Sequence, residues 1–374
     1  MVIKFNRRFL STALTLSGTI IGAGILGLPY VFAQAGFIFG LFWLIFLGSI
    51  VLVSFLYLGE VSLRTNGKHQ LTSLAKRYLG KKGEIIMFFA VMFGIYSSLL
   101  AYLIGEGESL SQLFFGNINY ALYFTLGFWF ILTFLVHYTL KDLRKIETYG
   151  VFAIILIIFV MLFLFLPKIQ VTNLIQTNYS NIFLPFGVIL FALLGFTSIP
   201  DLRQEIKGHE KRLKKAIILG LMIPIFLYLI FVVISLGVFG KSISPIATVS
   251  LGVLPLILGI FSMLTSYYVL SFALKGVYRG DLKLSKKLTF VLMGFVPLIL
   301  FFLVFFFKTF NFIQILGIGG VISGGLVGIL ILLMNFKAKK KGNRKPEYVV
   351  PINIGIIILF SLIFLFGIFS QLFL

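Results

Sequence analysis

Cysteine is absent from this chain of 374 residues. That absence excludes disulfides, thiolate metal sites and cysteine nucleophiles together. Acidic residues are scarce, 11 Asp and Glu against 32 Lys and Arg. The three histidines, His69, His137 and His209, show no metal-like spacing. No phosphate-cradling glycine loop of the P-loop type is present, so nothing supports ATP-driven work. Nor do acid, base and nucleophile residues gather at one depth, as a membrane-embedded enzyme would need. Charged residues make up only 11% of the chain and hydrophobic ones 60%. A soluble domain does not have that balance.

What fills the chain instead is hydrophobic runs of membrane-spanning length. Eleven are read, near 10–34, 37–63, 83–113, 119–138, 146–167, 181–201, 214–239, 254–278, 288–307, 310–334 and 350–373. The first is too long for the hydrophobic region of a signal peptide and lacks a small-residue cleavage site, so it is expected to stay in the mature protein. Between the second and third, His69 to Gly80 reads as a short surface helix with Leu71, Leu74, Ala75 and Leu79 on one face. No soluble domain separates out, so residues 1–374 are expected to form one all-α integral membrane domain.

A net charge of +21 would suggest nucleic acid in a soluble protein. Here the positive residues fall in alternate loops. One side collects Lys4, Arg7 and Arg8, then the loops at 64–82, 141–145, 203–215, 275–287 and 337–345. The other side carries only Lys168, Lys241 and Lys308. This asymmetry predicts a cytoplasmic N-terminus and an external C-terminus in the plasma membrane, and leaves no charge that nucleic acid must explain. The lipid bilayer is the partner.

Within the first run, Gly18-Thr19-Ile20-Ile21-Gly22-Ala23-Gly24-Ile25-Leu26-Gly27-Leu28-Pro29 is poorly suited to a continuous helix. Non-helical backbone at membrane depth is tolerated only where it is buried in protein or lines a cavity. A small-residue seam for helix packing is the competing reading. The sixth run repeats the spacing: Gly195 stands five residues before Pro200, as Gly24 stands five before Pro29. Two halves, about 10–167 and 181–334, thus each open on a glycine-interrupted, proline-bearing span, with an extra helix at about 350–373. An odd number of spans per half gives the halves opposite orientation. Paired interrupted spans of this kind point to an inverted-repeat transporter and to its binding site.

The string from Gly18 to Tyr30, followed by Phe32-Ala33-Gln34-Ala35-Gly36, resembles the first helix of the amino acid/auxin permease family. These aromatic and neutral amino acid permeases belong to the amino acid–polyamine–organocation superfamily. Phe191 to Arg203 resembles the family's sixth helix, and Phe261-Ser262-Met263-Leu264-Thr265-Ser266-Tyr267 its eighth. The resemblance implies a LeuT-type fold: a 5+5 inverted repeat plus one extra C-terminal helix, eleven transmembrane helices in all, with helices 1 and 6 broken. It also implies secondary active amino acid transport by alternating access.

A zwitterionic substrate needs donors for its carboxylate and acceptors for its ammonium group. With backbone freed near Gly22, the amides of Ala23, Gly24 and Ile25 should meet the carboxylate at a positive helix end. Carbonyls of Ile20, Ile21, Phe191, Ala192 and Leu194 can accept from the ammonium group, and Gly195 leaves room for a large side chain. Gly24→Leu should therefore fill the carboxylate's place without preventing folding. Ser97, Ser98 and Tyr102 could face the site or be satisfied within their own helix. The pocket lacks fixed charge, which favours neutral, large or aromatic amino acids. The family pattern makes Phe191 the aromatic that closes over substrate. It also implies a sodium site from the Thr265 and Ser266 hydroxyls with carbonyls of Gly18, Ile21 and Ser262. In some relatives a basic side chain on helix five takes the place of that ion; from Thr148 to Leu166 this chain holds no lysine and only Tyr149 as a titratable group, which by the resemblance favours sodium over proton. Beyond such an ion no cofactor is expected.

Four acids remain. Glu106 and Glu108 are expected in a solvated outer vestibule. Glu60 and Glu147 should pair with basic neighbours, and Asp281 with Lys4, Arg7 or Arg8 as an inner gate. The competing functions are an amino acid sensor on the same fold, a proton-coupled or cationic amino acid permease, and a channel. A channel would need a polar stripe through several helices, which these spans lack.

Overall fold

The computed structural model describes residues 7–138 and 143–373, apart from the side chains of residues 7, 137–149, 280, 281, 372 and 373. The expected pairings of Asp281 with Lys4, Arg7 or Arg8, and of Glu147, fall outside the described residues. Among the described residues the regular structure is helix joined by loops, with no strand, because a backbone in lipid must satisfy its own hydrogen bonds. The helices are α1 (Arg7–Ile20), α2 (Gly24–Ala35), α3 (Phe37–Leu63), α4 (Leu71–Phe115), α5 (Ala121–Tyr138), α6 (Leu143–Phe165), α7 (Leu184–Ala192) and α8 (Ile199–Glu205). They continue as α9 (Leu213–Phe239), α10 (Val253–Gly276), α11 (Lys286–Phe307), α12 (Phe312–Gly319), α13 (Gly325–Lys341) and α14 (Ile354–Phe373).

Among the described residues, nine helical segments are long and apolar enough to cross a membrane, and α1 with α2 makes a tenth across a 59° bend. The chain is a multi-pass membrane protein. The expected fourth crossing is α5, whose apolar stretch at Ala121–Val136 is shorter than the others.

Both expected interruptions lie at the centre of the bundle. Residues 21–23 leave the helical pattern between α1 and α2. Residues 193–195 do so between α7 and a single 3-10 turn at Phe196–Ser198 that leads into α8. Only the first break bends its span sharply; Leu184–Glu205 runs on as one crossing. The halves of the two broken spans meet where α2 packs on α7. A Cβ on Gly24 would strike the Cα of Ala192, so glycine is required there by close approach of two backbones. The helices α3, α6, α9 and α12 pack directly on the broken spans, and α4 and α10 reach the first break through Tyr102 and Ser266.

The surface segment at 71–79 is helical as expected and is set off by Gly80, whose φ of 80° and ψ of −170° break α4. Its buried face is Leu71, Leu74, Ala75 and Tyr78. Leu79, expected on that face, is half-buried and packs against the core, and Tyr78, which sequence reading left out, joins it seven residues on from Leu71. Glu60, fully buried near the end of α3, does pair with a basic neighbour: its carboxylate takes Arg64 Nε at 2.8 Å. Its other oxygen accepts the Val350 amide at 2.8 Å. Tyr57 and Arg344 add bonds to the Pro351 and Leu63 carbonyls. The linker into α14 is thereby held on the end of α3.

Glu60→Ala would strand the Val350 amide and the Arg64 guanidinium together. Removing one partner of a buried pair costs about 3 kcal/mol, so the thermal midpoint in detergent should fall by several degrees. An unchanged midpoint would show that the linker does not depend on this carboxylate.

Candidate functional site

The break in the first span follows from its hydrogen bonds. The Ile21 amide still reaches the Ser17 carbonyl at 2.9 Å, but Ile25 and Leu26 bond back only to Gly22 and Ala23. The Gly22 and Ala23 amides have no backbone acceptor, and the Gly18 and Thr19 carbonyls receive no backbone amide. Side chains take up part of this loss. The Tyr228 hydroxyl on α9 lies 3.0 Å from the Ile20 carbonyl and 2.9 Å from that of Ala192, donating between the two. Ser266 Oγ on α10 donates to the Ile21 carbonyl at 3.4 Å. The Tyr102 hydroxyl on α4 sits against Gly22, beside Ser266 and the Ala23 amide.

A cavity of about 100 Å³ opens against these groups, space for several water molecules. Of the expected site residues, Gly18, Ile20, Ile21, Gly22, Gly24, Ser98, Tyr102, Phe191, Leu194, Gly195, Thr265 and Ser266 line it. Among the described residues, no acidic or basic side chain lines it. Its remaining walls reveal its direction. On α4 it extends from Tyr102 back to Val91, on α6 it meets Gly150, and on α10 it runs on to Leu270. Thr197 lies along its other side. Every one of these leads toward the lysine- and arginine-rich loops. The opposite side is packed shut, where α4 at Gly105 meets Met263 and Phe312.

Five expected residues are placed elsewhere. Ala23 and Ile25 are fully buried beside the break and do not line the cavity. Ala192 is spent on the backbone crossing with Gly24. Ser97 turns to α12, donating to the Ile315 carbonyl at 3.2 Å. The Ser262 hydroxyl is buried away from the cavity with no hydrogen-bond partner. The expected ammonium acceptors also change. Ile20, Ile21 and Ala192 carbonyls already accept hydroxyls, and that of Phe191 takes the Leu194 amide. The carbonyls left open on the cavity wall are those of Gly18 and Thr19 and, of the expected acceptors, Leu194. Gly24→Leu is likewise reinterpreted: its side chain would collide with α7 rather than occupy the substrate's space.

The donors for a sodium ion fit in part. Gly18 offers an open carbonyl and Ser266 a hydroxyl at the break. Thr265 bonds back to the Phe261 and Ser262 carbonyls at 2.9 and 3.0 Å and would have to turn to take part. Of the acids, Glu106 is fully buried, contrary to a solvated vestibule, because α4 continues to Phe115 and keeps this turn inside the bundle. Glu108 lines a second cavity with Lys308.

Sequence reading missed Tyr228, the one hydroxyl that touches both broken spans. Its signal was a tyrosine deep in an otherwise apolar span, four residues after Pro224. Thr19, Thr197 and Ser323, which also line the cavity, carried no signal beyond being polar.

Residues 6–373 match the tryptophan/tyrosine permease family. The chain belongs to that family. The permease resemblance of the first helix is thereby confirmed at the level of amino acid permeases, under a different family name, and the family is one of permeases rather than enzymes. It is similar to tyrosine-specific transport system 1 of Haemophilus influenzae, 30% identical over 224 residues, which are 59% of this chain and 55% of that protein. Glutamine transporter 2 of Aliivibrio fischeri is 23% identical over 355 residues, 90% of each chain. The tryptophan-specific transport protein of Shigella flexneri is 25% identical over 232 residues, 59% of this chain and 56% of that one. The chain thus spans little more than half the length of the tyrosine and tryptophan relatives in these matches.

Tyr228→Phe tests the tie between the breaks in this permease. Loss of the hydroxyl leaves two buried carbonyls short of a donor, at a cost of about 1–3 kcal/mol. The variant should melt several degrees lower and take up substrate more slowly. Unaltered melting and uptake would make the bond incidental.

Proposed function

We propose that this permease is a secondary active transporter of neutral amino acids, with large or aromatic ones preferred, working by alternating access. The observation that carries this reading is a cavity between two interrupted helices, lined by freed backbone groups and, among the described residues, by no charged side chain. The zwitterion's carboxylate would meet the Gly22 amide and the Tyr102 hydroxyl. Its ammonium group would meet the open carbonyls at the end of α1, where the helix dipole is negative. Phe191 and Gly195 border the remaining space for the side chain. The names of relatives that carry tyrosine, tryptophan and glutamine agree with a neutral substrate.

The proposed architecture is the LeuT-type 5+5 inverted repeat with α5 as the fourth of eleven crossings and α14 as the extra helix. The proposed orientation puts the N-terminus in the cytoplasm, a reading supported by the distribution of the basic loops. With that orientation the cavity faces inward. Sodium is the proposed coupling ion, bound near Gly18, Ile21, Thr265 and Ser266, with proton coupling as the alternative.

A counterflow assay in proteoliposomes tests the transport reading. Labelled tyrosine or tryptophan should exchange against unlabelled neutral amino acids more readily than against Arg, Lys, Asp or Glu. Absence of exchange with every amino acid would favour a sensor. Ser266→Ala should raise the sodium concentration needed for half-maximal uptake. Full uptake with choline replacing sodium and an inward proton gradient imposed would overturn the sodium assignment.

A further inference from the structure

Glu106 lies one helical turn from Tyr102 on the same face of α4, on the packed side of the breaks. It is fully buried, and neither carboxylate oxygen has a hydrogen-bond partner. The backbone of Leu264 on α10 approaches it. The preceding residues bring Met263 against Gly105 and carry Ser262, whose hydroxyl is also buried and unpartnered. Ser109, three residues along the same face of α4, is buried and unpartnered as well. A buried polar group without a partner is costly, and an unpaired ionised carboxylate far more so.

Among the described residues, no cation compensates it. The three basic residues at this end, Lys168, Lys241 and Lys308, are exposed. On the elements packed against this part of α4, the other titratable groups are few. Glu108 points into the second cavity with Lys308. Tyr267 of α10 packs its ring on Phe128 of α5, Tyr268 is buried beside it, and Tyr123 of α5 is exposed. The turn at Ala247–Ser250 and α12 bring none.

We infer that Glu106 is a proton-binding site that controls closure of the outer half. It rests on the alternating-access reading, in which that half opens to the outside. With the outer half closed, as here, the carboxyl is dry and must be neutral. With it open, water reaches the residue and the ionised form is stabilised. External acid therefore favours closure and external alkali favours opening, whichever ion drives transport. This links the turn of α10 that packs on Glu106 to the turn that carries Thr265 and Ser266 at the cavity.

The absence of cysteine allows a direct test. Ser109→Cys, with Ser262→Cys as a second reporter, is exposed to a membrane-impermeant maleimide in intact cells. Rates are divided by those of Ser180→Cys, an exposed site that corrects for thiol ionisation. The normalised rate should rise several-fold from about pH 5.5 to 8.5, across the range where a buried carboxyl can titrate. Adding Glu106→Gln, a permanently neutral side chain, should leave the rate low and flat. A rate that is flat in the Glu106 background overturns the inference, as does an undiminished pH response with Glu106→Gln. A rate set by external sodium instead of pH would replace the proton with a metal cation and also overturn it. If neither reporter labels at any pH while Ser180→Cys does, the outer half does not open, and alternating access fails with it.

Discussion

Everything at the centre of this permease depends on backbone hydrogen bonds that α1 and α2 do not make to each other. Between Ile21 and Gly24 the spans lose their ladder, and lipid cannot replace it. The lost bonds are met from three neighbouring helices: Tyr228 from α9, Ser266 from α10 and Tyr102 from α4. The position of each of those helices is therefore constrained by the break. Tyr228 does more, since the same hydroxyl also reaches the end of α7. One side chain thus sits between the two interruptions and registers one broken span against the other.

The close crossing of Gly24 with Ala192 adds a steric condition to this polar one. Two half-helices can approach that closely only where one lacks a Cβ. On one side of the crossing a cavity remains, with no charged side chain among the described residues of its wall. On the other side the helices close over Glu106. An access path on one side and dense packing on the other is the asymmetry that alternating access requires of a single state. It arises here from where the backbone breaks and from which helices fill the gap.

Much of this was legible in the sequence. The glycines at 22 and 24 and the paired prolines located both interruptions, because few residue types permit a helix to fail at membrane depth. The basic loops agreed with the order of the spans. Twelve of the expected site residues do line one cavity, although they come from four separated stretches of chain. What sequence could not supply is rotation about a helix axis. Ser97 and Ser98 are adjacent, yet one faces α12 and the other the cavity. The same ambiguity hid Tyr228 and misplaced Glu106, since depth along a span is readable from length but the direction of a side chain is set by packing. The assumption that freed carbonyls stay free also failed, because hydroxyls on neighbouring helices reached them first.

The account's central claim is that the breaks border a substrate site reached from the side of the basic loops. Thr197, exposed on the cavity wall, provides the most direct measurement. Thr197→Cys should react with an impermeant thiol reagent in inside-out vesicles but not in intact cells, and tyrosine or tryptophan should slow that reaction. Labelling from the outer face, or a rate that no neutral amino acid alters, would contradict it.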